Sequence, residues 1–359
     1  MRASIFRRGA LVVGEAPAPK PDKGQVLVRT LACGICGTDL HAMQAGHQML
    51  DQWRRAGIKS DLTFEKDVIF GHEFCAEILD YGPDTPKRFK PGARVTSVPG
   101  GVGLSNVRSG GYGEQMALTE DLLLEVPNGL PAEHAALTEP MAVGLHAVNL
   151  ARLGPTDAPL VIGCGPVGLA VVAALKAAGS GPIVAADFSP RRRNLAAALG
   201  ADVVVNPADI SPYSAWRDLT STEGGAALAG NLLMANSATR TAVVFECAGV
   251  TGVVQQILEN VPPNARVILV GACPTMDQFE PMLGTLKEVN LQFSMAYTVG
   301  EFAETLRRLA DGVIDVAPIV TRTVGLDGVA DAVARLANPE EDAKIVIAYG
   351  ADQRPTPPA

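Results

Sequence analysis

From Pro159 to Ala272 the sequence alternates short apolar runs with stretches of helical length, and this alternation limits the fold more than any other feature. "PLVIGCG" reads as a strand, "PVGLAVVAALKAAG" as a helix, "GPIVAADFS" as a strand, "PRRRNLAAALGA" as a helix and "DVVVNP" as a strand. "AVVFECAG", "GVVQQILENV" and "ARVILVGA" continue the series. Strands joined by helices of about 10 to 15 residues make a parallel sheet, because a parallel pair needs a crossover that returns the chain to the same end. The residues before Ala132 have a different texture. "ASIFRRGALVVGEAPAPKPDKGQVLVRTLACGIC" and "PGARVTSVPGGVGLSNVRSGGYGEQMALTEDLLLEVP" hold brief Val, Ile and Leu runs cut by Gly, Pro and Asp, the punctuation of hairpins in a β-rich fold. Between them, His41 to Gly71 reads as a loop carrying a short helix. "FAETLRRLADG", "DGVADAVARLAN" and the strand "AKIVIAYG" bring the chain back to the first domain, and the Pro-rich tail "ADQRPTPPA" is expected to be loose.

Two textures in 359 residues, 47% of them hydrophobic, imply two cores of about 150 residues each. With 30 Lys and Arg against 38 Asp and Glu, the net charge of -8 argues against nucleic acid or an anionic membrane surface as partner. Small molecules and further copies of the chain fit better. The uncharged run from Ala158 to Leu175 approaches the roughly 20 residues of a membrane helix, but Gly163, Gly165, Pro166 and Gly168 break it into strand, turn and helix. Six scattered cysteines without a cationic, apolar leader point to a reducing cytoplasm and no disulfide framework.

Gly163-Cys164-Gly165-Pro166-Val167-Gly168 is a G-x-G-x-x-G set between a strand and a helix, with Asp187 at the end of the next strand. That context makes it a dinucleotide turn. Gly163 permits the tight turn, Gly165 lets the backbone approach a pyrophosphate, and Gly168 lets helix pack on strand, while the helix N-terminus favours the diphosphate charge. Asp187 is placed to accept hydrogen bonds from the adenosine ribose and would repel a 2'-phosphate, which favours NAD over NADP. Arg192 complicates this, since it can lie over the adenine or touch the ribose. Cys247-Ala248 and Val270-Gly271, past the ends of later strands, are positioned to line the cofactor crevice.

"ACGICGTDLHA" raises the question of chemistry, because Cys33 and Cys36 can be read as a dithiol, half of a structural zinc site, or one metal ligand beside an ordinary cysteine. A structural zinc needs a second thiol pair, and a thioredoxin-like site needs C-x-x-C opening a helix after a strand of its own βαβ unit. Neither is present. Cys36 instead has candidate partners in His41, in His72 and Glu73 of "GHEF", and in Glu139 of "TEP". One thiolate, one imidazole and one carboxylate leave a fourth position open, as a catalytic zinc requires. Cys33 and Cys75 read as packing residues.

"CGICGTDLH", "GHEF", "TEPMAVGLHAV", "VIGCGPVG" and "ADFSPRR" stand in the order and approximate spacing of the zinc-dependent medium-chain alcohol dehydrogenases, and the chain resembles their sorbitol and threonine dehydrogenase branch from about Met1 to Gly350. The resemblance implies an α/β fold: a β-rich GroES-like catalytic domain over 1–150, a doubly wound parallel-sheet (Rossmann) NAD domain over 151–290, and a return with the tail over 291–359. It implies Cys36 and His72 as constant zinc ligands, with Glu73 or Glu139 as the third. Thr38 matches the hydroxyl that bonds the substrate oxygen, His41 the solvent end of a proton relay, and Asp39 a carboxylate that orients the His72 ring. Hydride would pass between an alcohol, a secondary alcohol or polyol in this branch, and NAD. Homodimers or homotetramers are implied, with an edge strand near "RVILVGA" extending the sheet.

The sequence departs from many relatives in two places. The lobe that holds four cysteines and a structural zinc is replaced by "GARVTSVPGGVGLSNVRSGGYGE", so a single catalytic zinc per chain is expected. The stretch around Trp53 is longer than usual. A zinc-free quinone or enoyl reductase of the same superfamily would lack the set Cys36, His72 and Glu73, and a non-catalytic NAD-binding sensor would have lost a ligand or Thr38; this chain retains them all.

Overall fold

The computed structural model describes residues 1–220, 240–338 and 340–350, and the tail expected to be loose lies outside the described residues. The chain forms two compact units. One comprises Met1–Glu139, Phe302–Gly312 and the residues from Val320 onward; the other comprises Pro140–Glu301 and Val313–Ile319. The chain first crosses between them inside the helix Thr138–Ala151.

The first unit opens with an antiparallel hairpin, Arg2–Arg7 against Ala10–Glu15. Its main sheet runs in the order Val320–Val324, Lys344–Ala348, Gln25–Gly34, Glu73–Tyr81, Arg94–Ser97, Leu123–Glu125, with Gln115–Thr119 also paired to Gln25–Gly34. Only the first two strands are parallel. Alternation along the strands sends Val26, Val28, Ile78, Met116, Leu118, Ile345 and Ile347 into one core. Register decides where the chemistry gathers. Gly34 stands opposite Glu73 on one side and Val346 on the other, so three distant stretches of sequence meet at the end of one strand.

Directly after that end comes the helix Gly37–Arg55, which starts before His41 and is longer than the short helix expected in a loop. Its first turn is closed by a capping box: the Cys36 sulfur accepts from Thr38 N at 3.5 Å, and Asp39 Oδ2 accepts from Cys36 N at 3.2 Å. Cysteine is an unusual cap, which is why the sequence hides this start. The helix bends at Ala45, next to Gly46, whose missing side chain leaves room for the Phe64 ring. Trp53 packs with Met49 and Leu50 against the core of this unit.

In the second unit six described strands, all parallel, run in the order Val203–Val205, Val184–Ala186, Asp157–Ile162, Thr241–Glu246, Arg266–Leu269, Asn290–Phe293. This is the doubly wound order whose switch point lies between its first and fourth strands, here Asp157–Ile162 and Thr241–Glu246. A parallel sheet is covered by its own crossover helices, so its central strands are apolar; Leu160, Val184, Val244 and Val267 lie in the core with Trp216 and Ile257. The run from Ala158 to Leu175 is divided between the strand Asp157–Ile162 and the helix Pro166–Ala177, and among the described residues no helix is long and apolar enough to cross a membrane. The edge is not at "RVILVGA". Arg266–Leu269 is flanked by Asn290–Phe293, whose Asn-Leu-Gln-Phe sequence lacks the continuous apolar run that marks the inner strands.

Candidate active site

Cys33 and Cys36 lie three residues apart and face different surroundings. Cys33 is fully buried in the core, where burial pushes its thiol well above the usual range, and Cys75 is pushed up to about 12 by the same cause. Thiols held protonated in this way are poor nucleophiles and poor ligands. Cys36, half-buried at the helix cap, is different, because the His72 ring lies within hydrogen-bonding reach of its sulfur.

His72 is delivered by the turn before the strand Glu73–Tyr81. Gly71 makes that turn with φ +99°, and a side chain there would strike the Tyr112 ring and the Cys33 sulfur. The buried imidazole places Nδ1 3.3 Å from Asp39 Oδ1, and both atoms lack any well-aligned hydrogen-bond partner. Burial lowers the His72 pKa, but the Asp39 charge and then Cys36 outweigh it and leave the ring well above its ordinary value. Asp39 Oδ2 is occupied by the Tyr112 hydroxyl at 3.0 Å and by Cys36 N.

Glu73 is fully buried and both its oxygens accept from Lys344 Nζ, at 2.7 and 2.8 Å; this ammonium also donates to the Ile35 carbonyl at 3.0 Å. The carboxylate lies over Gly34, where a β-carbon would strike Oε2. Burial pulls the Lys344 pKa down, yet Glu73, then Cys36 and also Glu139 hold it above its usual value. Lys344 is thus the positive centre of a negative cluster. No sequence motif marks it, although a lone Lys in the apolar strand "AKIVIAYG" demands a buried partner.

Among the described residues, no three His, Cys, Asp or Glu side chains close around one point as a finished metal site does. The donor chemistry nevertheless fits a catalytic zinc. Sulfur and imidazole are already adjacent, Asp39 Oδ1 faces the unpartnered Nδ1 of that imidazole, and carboxylates lie in the same cluster. Thr38, in the first turn of the capped helix, and His41, three residues further on, are half-buried and exposed respectively, on neighbouring positions of one helix face.

In the second unit the carboxyl ends of the parallel strands carry the turn. Gly163 has φ +89°, with Ala248 N only 2.7 Å from where a β-carbon would be, and a β-carbon on Gly168 would meet the Gly163 carbonyl. Gly165 has open space around it, with Arg192 Nη1 the nearest atom at 3.9 Å, and it caps the helix led by Pro166 and Val167. Asp187 Oδ2 accepts from Cys164 N at 2.7 Å and Oδ1 from Ser189 N at 2.8 Å, so this carboxylate ties the glycine turn to the next strand end. Arg192 approaches it to 4.0 Å, and its buried Nε has no partner. Arg193 instead bonds the carbonyls of Asp187 and Phe188. Val270 and Gly271 donate to the Glu246 carbonyl, and the Glu246 side chain accepts from Ala248 N and Gly249 N, each at 2.8 Å. Burial raises the Glu246 pKa and those two donors oppose it. Glu246 thereby holds the strand-end loops in place, a bracing role the sequence motif did not reveal.

His146 and Asn149 both bond Glu301, at 2.9 and 2.8 Å, and His47 stacks edge-on against Phe64, so neither histidine enters the cluster around Cys36.

Comparison with known proteins finds a family match in each half of the chain. The alcohol dehydrogenase GroES-like domain matches residues 22–128 and the zinc-binding dehydrogenase domain matches residues 166–311. The (R,R)-butanediol dehydrogenase of Bacillus subtilis (strain 168) is 29% identical over 86% of this chain and 88% of its own. The sorbitol dehydrogenase of the same strain is 27% identical over 97% of each chain. A crystal structure of 2R,3R-butanediol dehydrogenase from Bacillus subtilis superposes with a TM-score of 0.79 at 26% identity, over 97% of this chain and 99% of that one. The GroES-like match on the β-rich domain, the zinc-binding dehydrogenase match on the parallel sheet, and these relatives place this chain in the zinc-binding medium-chain dehydrogenases, NAD(P)-dependent enzymes of the alcohol dehydrogenase family that act on CH–OH groups.

Proposed function

We propose that this enzyme transfers hydride between a secondary alcohol or polyol and NAD, with one catalytic zinc per chain and no structural zinc. The observation that carries the reading is the Cys36–His72 pair, with Asp39 behind the imidazole. When bound, zinc supplies a Lewis acid that makes an alcohol ionise near neutral pH, and NAD supplies the hydride acceptor. Cys36 and His72 would hold the metal. Glu73, both of whose oxygens accept from Lys344, and Glu139, whose charge also bears on Lys344, are the two candidates for the third donor. Thr38 takes the hydrogen bond of the substrate hydroxyl, and His41, exposed on the same helix, passes the proton to water. Gly163, Gly165 and Gly168 seat the cofactor pyrophosphate, with Pro166 and Val167 opening the helix beneath it. Asp187, Arg192 and Val270 line the remainder of the cofactor site. The absence of cysteines between Gly92 and Glu114 supports a single zinc.

A screen of secondary alcohols and polyols, read by the absorbance of reduced cofactor, tests the reaction. NAD should be reduced in preference to NADP. Asp187→Ala should weaken NAD by roughly 10-fold or more, the scale of a lost charged hydrogen bond, and abolish the preference. If no alcohol reduces NAD, the reading fails; if discrimination survives the substitution, Asp187 is not the ribose contact.

The partner we propose is a second copy of the chain. The outer strand Asn290–Phe293 carries no charge, Phe293 is 74% exposed and Met295 is 77% exposed. An uncharged strand that ends the sheet among the described residues, with an exposed phenylalanine, invites pairing with an identical edge across a two-fold axis. Light scattering should give at least twice the chain mass, and Phe293→Glu should halve it. A wild-type mass of one chain would remove the proposal.

A further inference from the structure

Tyr112 is one of the largest fully buried side chains in the first unit, and its hydroxyl spends its only hydrogen on Asp39. The backbone around it is fixed. Tyr112 N donates to the Phe70 carbonyl and its own carbonyl accepts from Ser4 N, while Gly111 N donates to the Gly71 carbonyl. The segments 69–71 and 110–113 run close together because Gly71, Gly110 and Gly111 present no side chains; a β-carbon on Gly110 would strike the Phe70 and Gly71 carbonyls. The phenol ring is buried against Gly71, the residue that precedes His72.

We infer that Tyr112 is a positioning residue for the metal centre, setting the Asp39 carboxylate so that Asp39 in turn sets the His72 ring. Asp39 has two oxygens and three neighbours. Tyr112 Oη and Cys36 N both donate to Oδ2, at 3.0 and 3.2 Å, which leaves Oδ1 facing His72 Nδ1 at 3.3 Å. Were the phenol hydroxyl removed, one backbone amide would remain on Oδ2, and the carboxylate could rotate about its last bond and lose its aim at the imidazole. The chain of contacts runs from Tyr112 to Asp39 to His72 and ends beside the Cys36 sulfur. A carboxylate behind a ligating histidine fixes which ring nitrogen carries the proton and how the ring points. The phenol carries that control one residue further from the metal. Burial, and then the Asp39 charge, hold the Tyr112 hydroxyl well above its ordinary pKa, so it remains a donor throughout the working range.

This inference rests on the proposed zinc site, and the test separates the two. Zinc affinity of the full chain is measured by competition with a chelator for wild type, Tyr112→Phe, Asp39→Asn and the double variant. Phe keeps the buried ring and removes only the hydroxyl. Wild type should bind one zinc. Tyr112→Phe should bind it about 10-fold more weakly, the lower end of the effect seen when a group behind a ligand is removed, and should add no further loss in the Asp39→Asn background. NAD affinity should be unchanged in all four. Equal zinc affinity in wild type and Tyr112→Phe overturns the inference and leaves the zinc site standing, as does an equal loss in both backgrounds. A wild type that binds no zinc overturns both. If Asp39→Asn retains too little metal for the comparison, the ligand-field spectrum of the cobalt-substituted Tyr112→Phe chain decides. A shifted band supports the inference, and a spectrum identical to wild type overturns it.

Discussion

Lys344→Met should lower folding stability by about 3–5 kcal/mol, because it strands the Glu73 carboxylate in a site from which water is excluded. Met preserves most of the volume of the lysine stem, so the loss measures the charge and its three hydrogen bonds and not a cavity. The pair as a whole is not expected to be worth that much. Taking both charges out of water costs nearly as much as their attraction returns, so Lys344→Met combined with Glu73→Gln should recover most of the stability. Denaturant midpoints of wild type, each single variant and the double variant, taken with chelator present, check this. A Lys344→Met chain within about 1 kcal/mol of wild type would show that Glu73 finds another partner or takes up a proton at little cost.

The second large effect concerns Cys36. Cys36→Ala should remove bound zinc and reduce alcohol-dependent turnover by about 10³-fold or more, since the Lewis acid supplies several kcal/mol and each step of about 1.4 kcal/mol is a factor of ten. NAD binding should persist, because the glycine turn belongs to the other compact unit. Alanine also removes the helix cap, at a cost of about 1 kcal/mol. Cys36→Ser separates the two roles, since its oxygen can still accept from Thr38 N but is a weaker zinc ligand. A serine variant with normal stability and lost zinc is the expected result. A serine variant with wild-type turnover would mean the sulfur is a cap and nothing more.

How much of this was legible in the sequence depended on distance along the chain. The parallel sheet was legible because each strand and its crossover helix are local, and the glycine turn because its three glycines answer to backbone crowding within one short turn. Cys36, Asp39 and His72 were legible as a set from their motifs, but the capping box that joins Cys36 to Asp39 was not, since sulfur seldom caps a helix. Lys344 and Glu73 are 271 residues apart, and only sheet register brings them together through Gly34. In the sequence Tyr112 is one aromatic among glycines, with no motif to mark it. Its meaning lies in where three missing side chains let its backbone run. The strand Asn290–Phe293 is masked by its mixed Asn-Leu-Gln-Phe sequence, which lacks the apolar run of the inner strands, so the sequence places the outer edge of the sheet one strand too early.

The most direct test of the account is metal analysis of the purified chain, paired with alcohol-dependent NAD reduction before and after chelation. One zinc per chain, loss of reduction with the metal, and its return on adding zinc back are the predicted results. Undiminished reduction by a chain shown to contain no metal would contradict the assignment of Cys36 and His72 as its ligands.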